Sequence, residues 1–264
     1  MSINLEEKLI QYIQNKIKKK PDFGIIFLEN QFLHTIIKEI KNPISISYEE
    51  VQNFTQEKFY GKLIFGEIEG KKVVFFIEFS SSFYYENEYP HYFPIGICKK
   101  IGINKLIFIN TSGIINPNYH NGDVMLVKDH INFFPESPNM KKFLKNNNNF
   151  FWIKEPYDIK MLEIAENIAM NHNILIQKGI YVAFPYQNYK TPAEYSMIRS
   201  MGGDSIGRNI IPYVMIAKYM NVRVFSISIL MSLSEKETSS YSKFIEKNIP
   251  ILLLIFKEFI KFCD

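Results

Sequence analysis

Helical segments and short, wholly apolar segments alternate along the second half of this chain. Residues 158–172 place apolar side chains on one helical face, and residues 174–184 then have the composition of a strand. A helix opened by Thr191 and Pro192, a short strand over 204–207, a helix over 212–220 and a buried strand over 222–230 follow in that order. This alternation predicts an α/β fold in which helices flank a mixed central β-sheet.

The first half of the chain supplies the remaining strands of the predicted sheet. Strands are predicted at residues 24–28, 61–68, 72–79, 105–110 and 123–127. Helices are predicted at both ends of the chain, within residues 1–20 and 235–264. Residues 143–152 have no hydrophobic period and are expected to form a mobile loop. We expect one domain over residues 1–264, a length that α/β proteins often fold as a single unit.

Charge and cysteine content argue against several classes of partner. The net charge of +4 comes from 28 Lys and 3 Arg spread along the chain, whereas nucleic-acid readers concentrate their cations on one face, so we expect no nucleic-acid partner. Two cysteines make no disulfide framework, which fits a reducing cytoplasm. The apolar run over residues 249–256 is far shorter than the ~20 residues of a membrane helix, so we expect no membrane partner.

Three segments of the chain resemble the trimeric purine nucleoside phosphorylases in order and spacing. The first is Asn110-Thr111-Ser112-Gly113-Ile114-Ile115-Asn116-Pro117, followed by Gly122-Asp123-Val124-Met125-Leu126 and Asp129-His130-Ile131-Asn132. The second is Thr191-Pro192-Ala193-Glu194-Tyr195, then Ile198-Arg199, Gly202-Gly203-Asp204 and Gly207. The third is Pro212, Ala217, Arg223-Val224-Phe225 and Ser228. The chain is therefore identified as a member of this family over most of residues 24–231.

The resemblance implies a reaction, its co-substrate and an assembly. Members of the family cleave purine nucleosides with phosphate to a free base and a pentose 1-phosphate. The resemblance therefore implies purine nucleoside and phosphate as ligands, a homotrimer, and no metal or organic cofactor. The site must hold a phosphate dianion beneath the sugar and stabilise negative charge on the departing purine.

The phosphate positions that the resemblance assigns are mostly substituted. The family's glycine-rich turn with its Ser is replaced here by a turn in which Glu29 stands at the Ser position. The Arg and His that follow the second strand in the family have no counterpart near Ser81. Thr111 keeps a backbone N–H that is expected to contact phosphate, and Asn209 replaces a Ser but retains a donor. A carboxylate about 4 Å from a phosphate charge costs about 4 kcal/mol at an effective dielectric of 20.

The base and ribose positions that the resemblance assigns are also changed. Lys190 stands where the family has the Glu that recognises the purine, which reverses the charge at that position. Ser232 stands at the position of the second recognition residue, an Asn, and has a shorter side chain. Arg208 replaces a Met that packs on the ribose, while Tyr189 keeps a ring that can stack on a base. The catalytic positions are thus Asn209, Ser232 and Lys190, all substituted.

Because most catalytic positions are substituted, we expect the family's activity to be weak or lost, and two functional hypotheses follow. The first is an enzyme, a purine nucleoside phosphorylase with altered or residual activity in which Lys190 and Arg208 supply new cations for phosphate or another substrate. The second is a non-catalytic protein of phosphorylase fold with a structural or ligand-binding role, a pseudoenzyme in which Glu29 pairs with Lys190 or Arg208. Retained glycines such as Gly113, Gly122 and Gly207 fit both hypotheses, because turns and close packing also require glycine.

Overall fold

The computed structural model describes residues 3–17, 19–28, 33–47, 61–77, 92–134, 153–184, 191–208, 210–232 and 238–264. The helices of this part of the chain are α1 (Ile3–Lys16), α2 (Leu33–Ile37), α3 (Tyr92–Lys100), α4 (Ile159–Asn171), α5 (Pro192–Ser200), α6 (Ile211–Tyr219) and α7 (Thr238–Phe262). Its strands are β1 (Phe23–Phe27), β2 (Lys41–Ser47), β3 (Lys62–Ile68), β4 (Lys71–Ile77), β5 (Lys105–Ile114), β6 (Val124–Asn132), β7 (Gln177–Ala183), β8 (Ser205–Gly207) and β9 (Arg223–Met231).

The strands of the described residues form one mixed sheet in the order β2-β3-β4-β1-β5-β8-β7-β6-β9. β1 runs parallel to β4 and β5, and β5 runs parallel to β9. Because β5 pairs with β9 as well as with β8, the strands β5, β8, β7, β6 and β9 close into a ring. β5 is therefore the strand at which an open half of the sheet joins a closed half.

Helices cover both faces of the sheet and bury aromatic side chains against it. The ring of Phe225 on β9 stacks on that of Phe259 on α7, with ring centroids 4.2 Å apart. On the opposite face, Phe108 of β5 contacts Tyr213 of α6 with ring centroids 6.0 Å apart. The predicted α/β fold with a mixed central sheet flanked by helices is thus confirmed. Among the helices described, none has the length and apolar character of a membrane span.

Two strands continue further than the sequence predicts. β5 was expected to end at Asn110 but continues to Ile114, because β9 pairs with it as far as Gly113 and β8 pairs with its last two residues. β6 was expected to end at Val127 but continues to Asn132, where it pairs with Ala183 of β7. Pairing with strands that lie far away in sequence decides both ends.

Three elements have no counterpart in the sequence prediction. β2 is an edge strand with mostly exposed side chains and contains Pro43, so it lacks an alternating apolar pattern. α3 contains Pro94 and Gly96, which are poor helix formers, and α2 is only five residues long. The terminal helices α1 and α7 fall inside the expected ranges 1–20 and 235–264. The loop expected over residues 143–152 lies outside the described residues.

Candidate functional site

The strands β1 and β8 pair with the same side of β5 and leave a gap between them. β1 pairs with β5 as far as Phe27 and Ile109, and the N–H of Leu28 donates to the carbonyl of Ile109 at 3.2 Å. β8 then pairs with Gly113 and Ile114 on the same side of β5. Residues 110–112 therefore pair with no described strand on that side. Ligands of α/β proteins commonly bind where neighbouring strands of the sheet diverge.

Thr111 lies at the centre of this gap. Backbone groups of a strand alternate between its two neighbours, so the amide of Thr111 points to the same side as that of Ile109, towards the gap. Its side chain is half-buried. The sequence predicts a phosphate contact from this backbone N–H, and that contact stays a prediction.

A buried pair of polar side chains holds β5 to β9 next to Thr111. The hydroxyl of Ser228 donates to Oδ1 of Asn110 at 2.7 Å, and Nδ2 of Asn110 donates to the carbonyl of Thr111 at 2.9 Å. Asn110 and Ser228 are register partners in the β5–β9 ladder and are both fully buried. Sequence reasoning assigned no role to either residue, although a polar side chain inside an apolar strand signals a buried partner.

Ser232 and Arg208 lie at the ends of strands that border this region. Ser232 follows β9 at the same sheet edge at which β1, β4 and β5 end, because these strands are parallel. Its N–H donates to Oδ1 of Asn121 at 3.2 Å. Arg208 follows β8, which runs antiparallel to β5 in the direction of Thr111. The Arg208 side chain is half-buried, and its Nε atom is buried.

Only part of the predicted site can be located. Thr111 and Arg208 lie beside the gap, whereas Ser232 follows β9 on the other side of β5, and the ligand roles of all three stay predictions. The other predicted site residues lie outside the described residues: Glu29, Ser81, Tyr189, Lys190 and Asn209. The expected pairing of Glu29 with Lys190 or Arg208 stays a prediction for the same reason. Among the described residues, no group of three or more His, Cys, Asp and Glu side chains is arranged to hold a metal ion.

Asp204, in the second retained segment, stabilises the fold. Its Oδ1 accepts from Nδ2 of Asn116 at 2.7 Å and its Oδ2 accepts from the N–H of Ile180 at 2.8 Å. Its main-chain carbonyl accepts from the N–H of Ile115 and of Asn116 at 3.0 and 2.9 Å. These four bonds tie the connection after β5 to β7 and β8.

Gly207 and Gly122 are required by their local packing. A Cβ on Gly207 would lie 2.1 Å from the hydroxyl oxygen of Tyr181, a fully buried residue. Gly122 has φ of +90°, and a Cβ there would lie 2.2 Å from Nδ2 of Asn248 on α7. Both positions need glycine for the fold alone, which is the structural interpretation that the sequence left open.

His130, in the first retained segment, packs against Tyr157 as a neutral side chain. Its Nδ1 lies 3.3 Å from the hydroxyl of Tyr157, and the two rings meet edge to face. Burial lowers the pKa of His130 to about 4, although Asp129 opposes this shift. Burial also raises the pKa of Tyr157 well above its usual range, so the phenol stays protonated beside the imidazole. His130 therefore serves packing and hydrogen bonding in the described structure.

The predicted cap of α5 is present as a reciprocal pair. The N–H of Glu194 donates to Oγ1 of Thr191 at 3.3 Å, and the N–H of Thr191 donates to Oε2 of Glu194 at 2.6 Å. Pro192 occupies the first turn. This capping box fixes the start of the helix immediately after Lys190.

Comparison with protein families assigns most of the chain to one superfamily. The profile of the phosphorylase superfamily matches residues 33–261. Purine nucleoside phosphorylase 1 of Bacillus subtilis is 33% identical over 233 residues, which cover 84% of this chain and 83% of that protein. Purine nucleoside phosphorylase 1 of Geobacillus stearothermophilus is 30% identical over 239 residues, covering 86% of this chain and 84% of that protein.

Solved structures of similar fold belong to the same group. Isoform 2 of purine nucleoside phosphorylase from Schistosoma mansoni, in complex with cytosine and ribose-1-phosphate, superposes with a TM-score of 0.84 at 25% identity, covering 100% of this chain and 98% of that one. A schistosoma purine nucleoside phosphorylase in complex with hypoxanthine superposes with a TM-score of 0.81 at 26% identity, covering 100% of this chain and 98% of that one. The likeness thus extends over the whole fold.

Proposed function

The chain belongs to the purine nucleoside phosphorylases of the phosphorylase superfamily, and from that premise we propose that its phosphate-dependent cleavage of purine nucleosides is weak or lost. Members of this family bind purine nucleosides and phosphate and need no cofactor, since phosphate is the co-substrate. The proposal concerns what remains of that reaction in this chain.

The observation that supports the proposal is that the residues retained from the family stabilise the fold, whereas the residues at ligand positions are changed. Asp204, Gly207 and Gly122 are retained, and each makes contacts that the fold itself requires. Positions with ligand roles in the family are changed, with Glu29 at the phosphate end and Lys190 at the base end. The retained residues therefore account for the fold without requiring the reaction.

Electrostatics predicts that the changed positions weaken phosphate binding and lower turnover. Glu29 adds a negative charge where a phosphate dianion would bind, and the Arg and His expected near Ser81 are missing from the sequence there. Removing one donor that acts in the transition state typically lowers the rate by about 10²–10³-fold. Such losses are not additive when residues act as a unit, yet several together lower turnover by much more than one.

The proposal includes an assembly and a compartment. We infer a homotrimer from the resemblance to the trimeric class. The compartment we propose is the reducing cytoplasm, which the two free thiols Cys98 and Cys263 support. Burial raises the pKa of both thiols, which lowers their reactivity.

The test is base release from inosine and guanosine by the purified chain, with and without phosphate. Purine nucleoside phosphorylase 1 of Bacillus subtilis serves as the active reference, and a Lys190→Ala variant reveals contaminating host phosphorylase. We expect turnover at least about a thousandfold below the reference, since more than one donor is missing. Phosphate-dependent turnover within tenfold of the reference that falls in Lys190→Ala would overturn the proposal and identify an enzyme with a rebuilt site.

A second variant tests the cause of the loss. The double substitution Glu29→Ser with Lys190→Glu restores the family charge at both ends of the site. If charge is what limits the reaction, this variant gains phosphate-dependent base release over the unchanged chain. A folded double variant with no gain would favour the non-catalytic structural or ligand-binding alternative.

A further inference from the structure

The turn before β6 is bonded to the end of β9. The N–H of Gly122 donates to the carbonyl of Leu230 at 2.7 Å, and the N–H of Leu230 donates to the carbonyl of Asp123 at 2.8 Å. These two bonds extend the antiparallel ladder in which Val124 pairs with Ile229. The turn therefore sets where the main chain of β9 ends.

The turn is itself held in one conformation. Oδ2 of Asp123 accepts from the N–H of His120 at 3.0 Å and from Nε2 of Gln177 at 2.9 Å. Gly122 adopts φ of +90° and lies against the Asn248 side chain of α7. A turn fixed from β7 and from α7 is a rigid base for any side chain that it carries.

Asn121 is the residue of this turn that contacts the residue after β9. Its Oδ1 accepts from the N–H of Ser232, the first residue after the strand, at 3.2 Å. This bond extends the contact between the turn and β9 by one residue, to the position that follows the strand. Asn118, in the turn that precedes this one, has an exposed side chain and thus provides a matched comparison.

We propose that Asn121 is a positioning residue for purine recognition, which holds Ser232 in place through its side-chain oxygen. The inference rests on the proposed function, because Ser232 stands at a base-recognition position only by resemblance to the family. Ser232 has a short side chain, so a small displacement of its main chain removes it from reach of a base. A fixed main chain is therefore more important here than with a longer recognition residue.

Two measurements on the full chain test the proposal. Hydrogen exchange of the Ser232 amide reports the bond itself, and calorimetric titration with hypoxanthine and with guanine reports recognition. The variants are Asn121→Ala, which removes the acceptor, Asn121→Asp, which keeps an oxygen there, and Asn118→Ala as the control. Thermal unfolding of each variant establishes that it is folded.

We expect Asn121→Ala to speed exchange at Ser232 and weaken base binding about fivefold, the effect of one hydrogen bond. Asn121→Asp should restore slow exchange, and Asn118→Ala should change neither measurement. Unchanged exchange in a folded Asn121→Ala variant overturns the proposal, as does faster exchange with unchanged base binding. If the unsubstituted chain binds neither base while exchange behaves as expected, the recognition role of Asn121 fails, whereas the proposed loss of the family's reaction stands.

Discussion

His130 shows how a half-buried residue of a retained segment can serve stability. The imidazole is hydrogen-bonded to the phenol of Tyr157 and is neutral at physiological pH, because burial lowers its pKa to about 4. In the unfolded chain the same group titrates near 6.5. The unfolded state therefore binds more protons than the folded state between pH 6.5 and about 4, and folding is opposed as the pH falls through that range.

We predict that replacing His130 by Gln reduces the loss of stability on acidification. Between pH 7 and about 4, His130 should contribute up to about 3 kcal/mol to the fall in the free energy of unfolding, since one pKa unit corresponds to 1.36 kcal/mol. Urea unfolding at a series of pH values measures this slope in the unchanged chain and in His130→Gln. His120→Gln is the control, because the His120 side chain is 81% exposed. Equal slopes in the unchanged chain and in His130→Gln would contradict the prediction.

At the residue scale, strand pairing places Thr111 and Arg208 beside the gap in β5 and Ser232 after β9, on the other side of β5. Sequence reasoning assigned ligand roles to these three residues, and those roles stay predictions. It assigned nothing to Asn110 or Asn121, although both make the bonds that arrange this region. Asn110 bonds to Ser228 and Asn121 bonds to Ser232, and each pair is separated by more than a hundred residues in the chain. One sequence carries no signal of such distant pairs.

At the scale of elements, local signals gave the starts of two capped helices but missed α2 and α3 and the ends of two strands. The capping box at Thr191 and the N-cap at Asp158 lie where the sequence predicts that α5 and α4 begin. Side chains within three residues decide these boundaries, so the sequence contains the information. The ends of β5 and β6 were wrong by four and five residues, since partners elsewhere in the chain decide them.

The capping box gives a prediction for α5. Thr191→Ala removes the acceptor for the N–H of Glu194 and should lower the free energy of unfolding by about 1 kcal/mol. Thr191→Ser keeps the hydroxyl and should recover most of that loss. Urea unfolding of the two variants beside the unchanged chain measures both values. A loss in Thr191→Ser as large as that in Thr191→Ala would show that the hydroxyl bond is not what stabilises the helix start.

At the scale of the whole molecule, the ring of strands is the feature that the sequence did not predict. β5 pairs with β1, β8 and β9, and its meeting with β1 and β8 on the same side creates the gap at residues 110–112. No local pattern in β5 distinguishes it from a strand with two neighbours. The candidate site therefore depends on the order of strands, and a single strand cannot specify that order.

The proposed assembly is a prediction at this scale. A homotrimer of this chain contains three copies of 31.1 kDa, related by closed symmetry. Light scattering on a sizing column measures the mass directly, and we expect the trimer to persist on dilution. A mass of one chain at all concentrations would contradict the prediction and separate this protein from the trimeric class in its assembly.

The sequence alone determined the α/β class, the family and the boundaries of capped helices, because periodicity, caps and ordered motifs are properties of neighbouring residues. It also predicts which ligand positions are substituted, since the resemblance to the family assigns Glu29 and Lys190 to such positions. The tertiary structure decided the closure of the ring, the gap beside Thr111 and the contact between Asn121 and Ser232. These features join residues far apart in the chain, and their energies depend on burial and pairing that exist only once the sheet has formed.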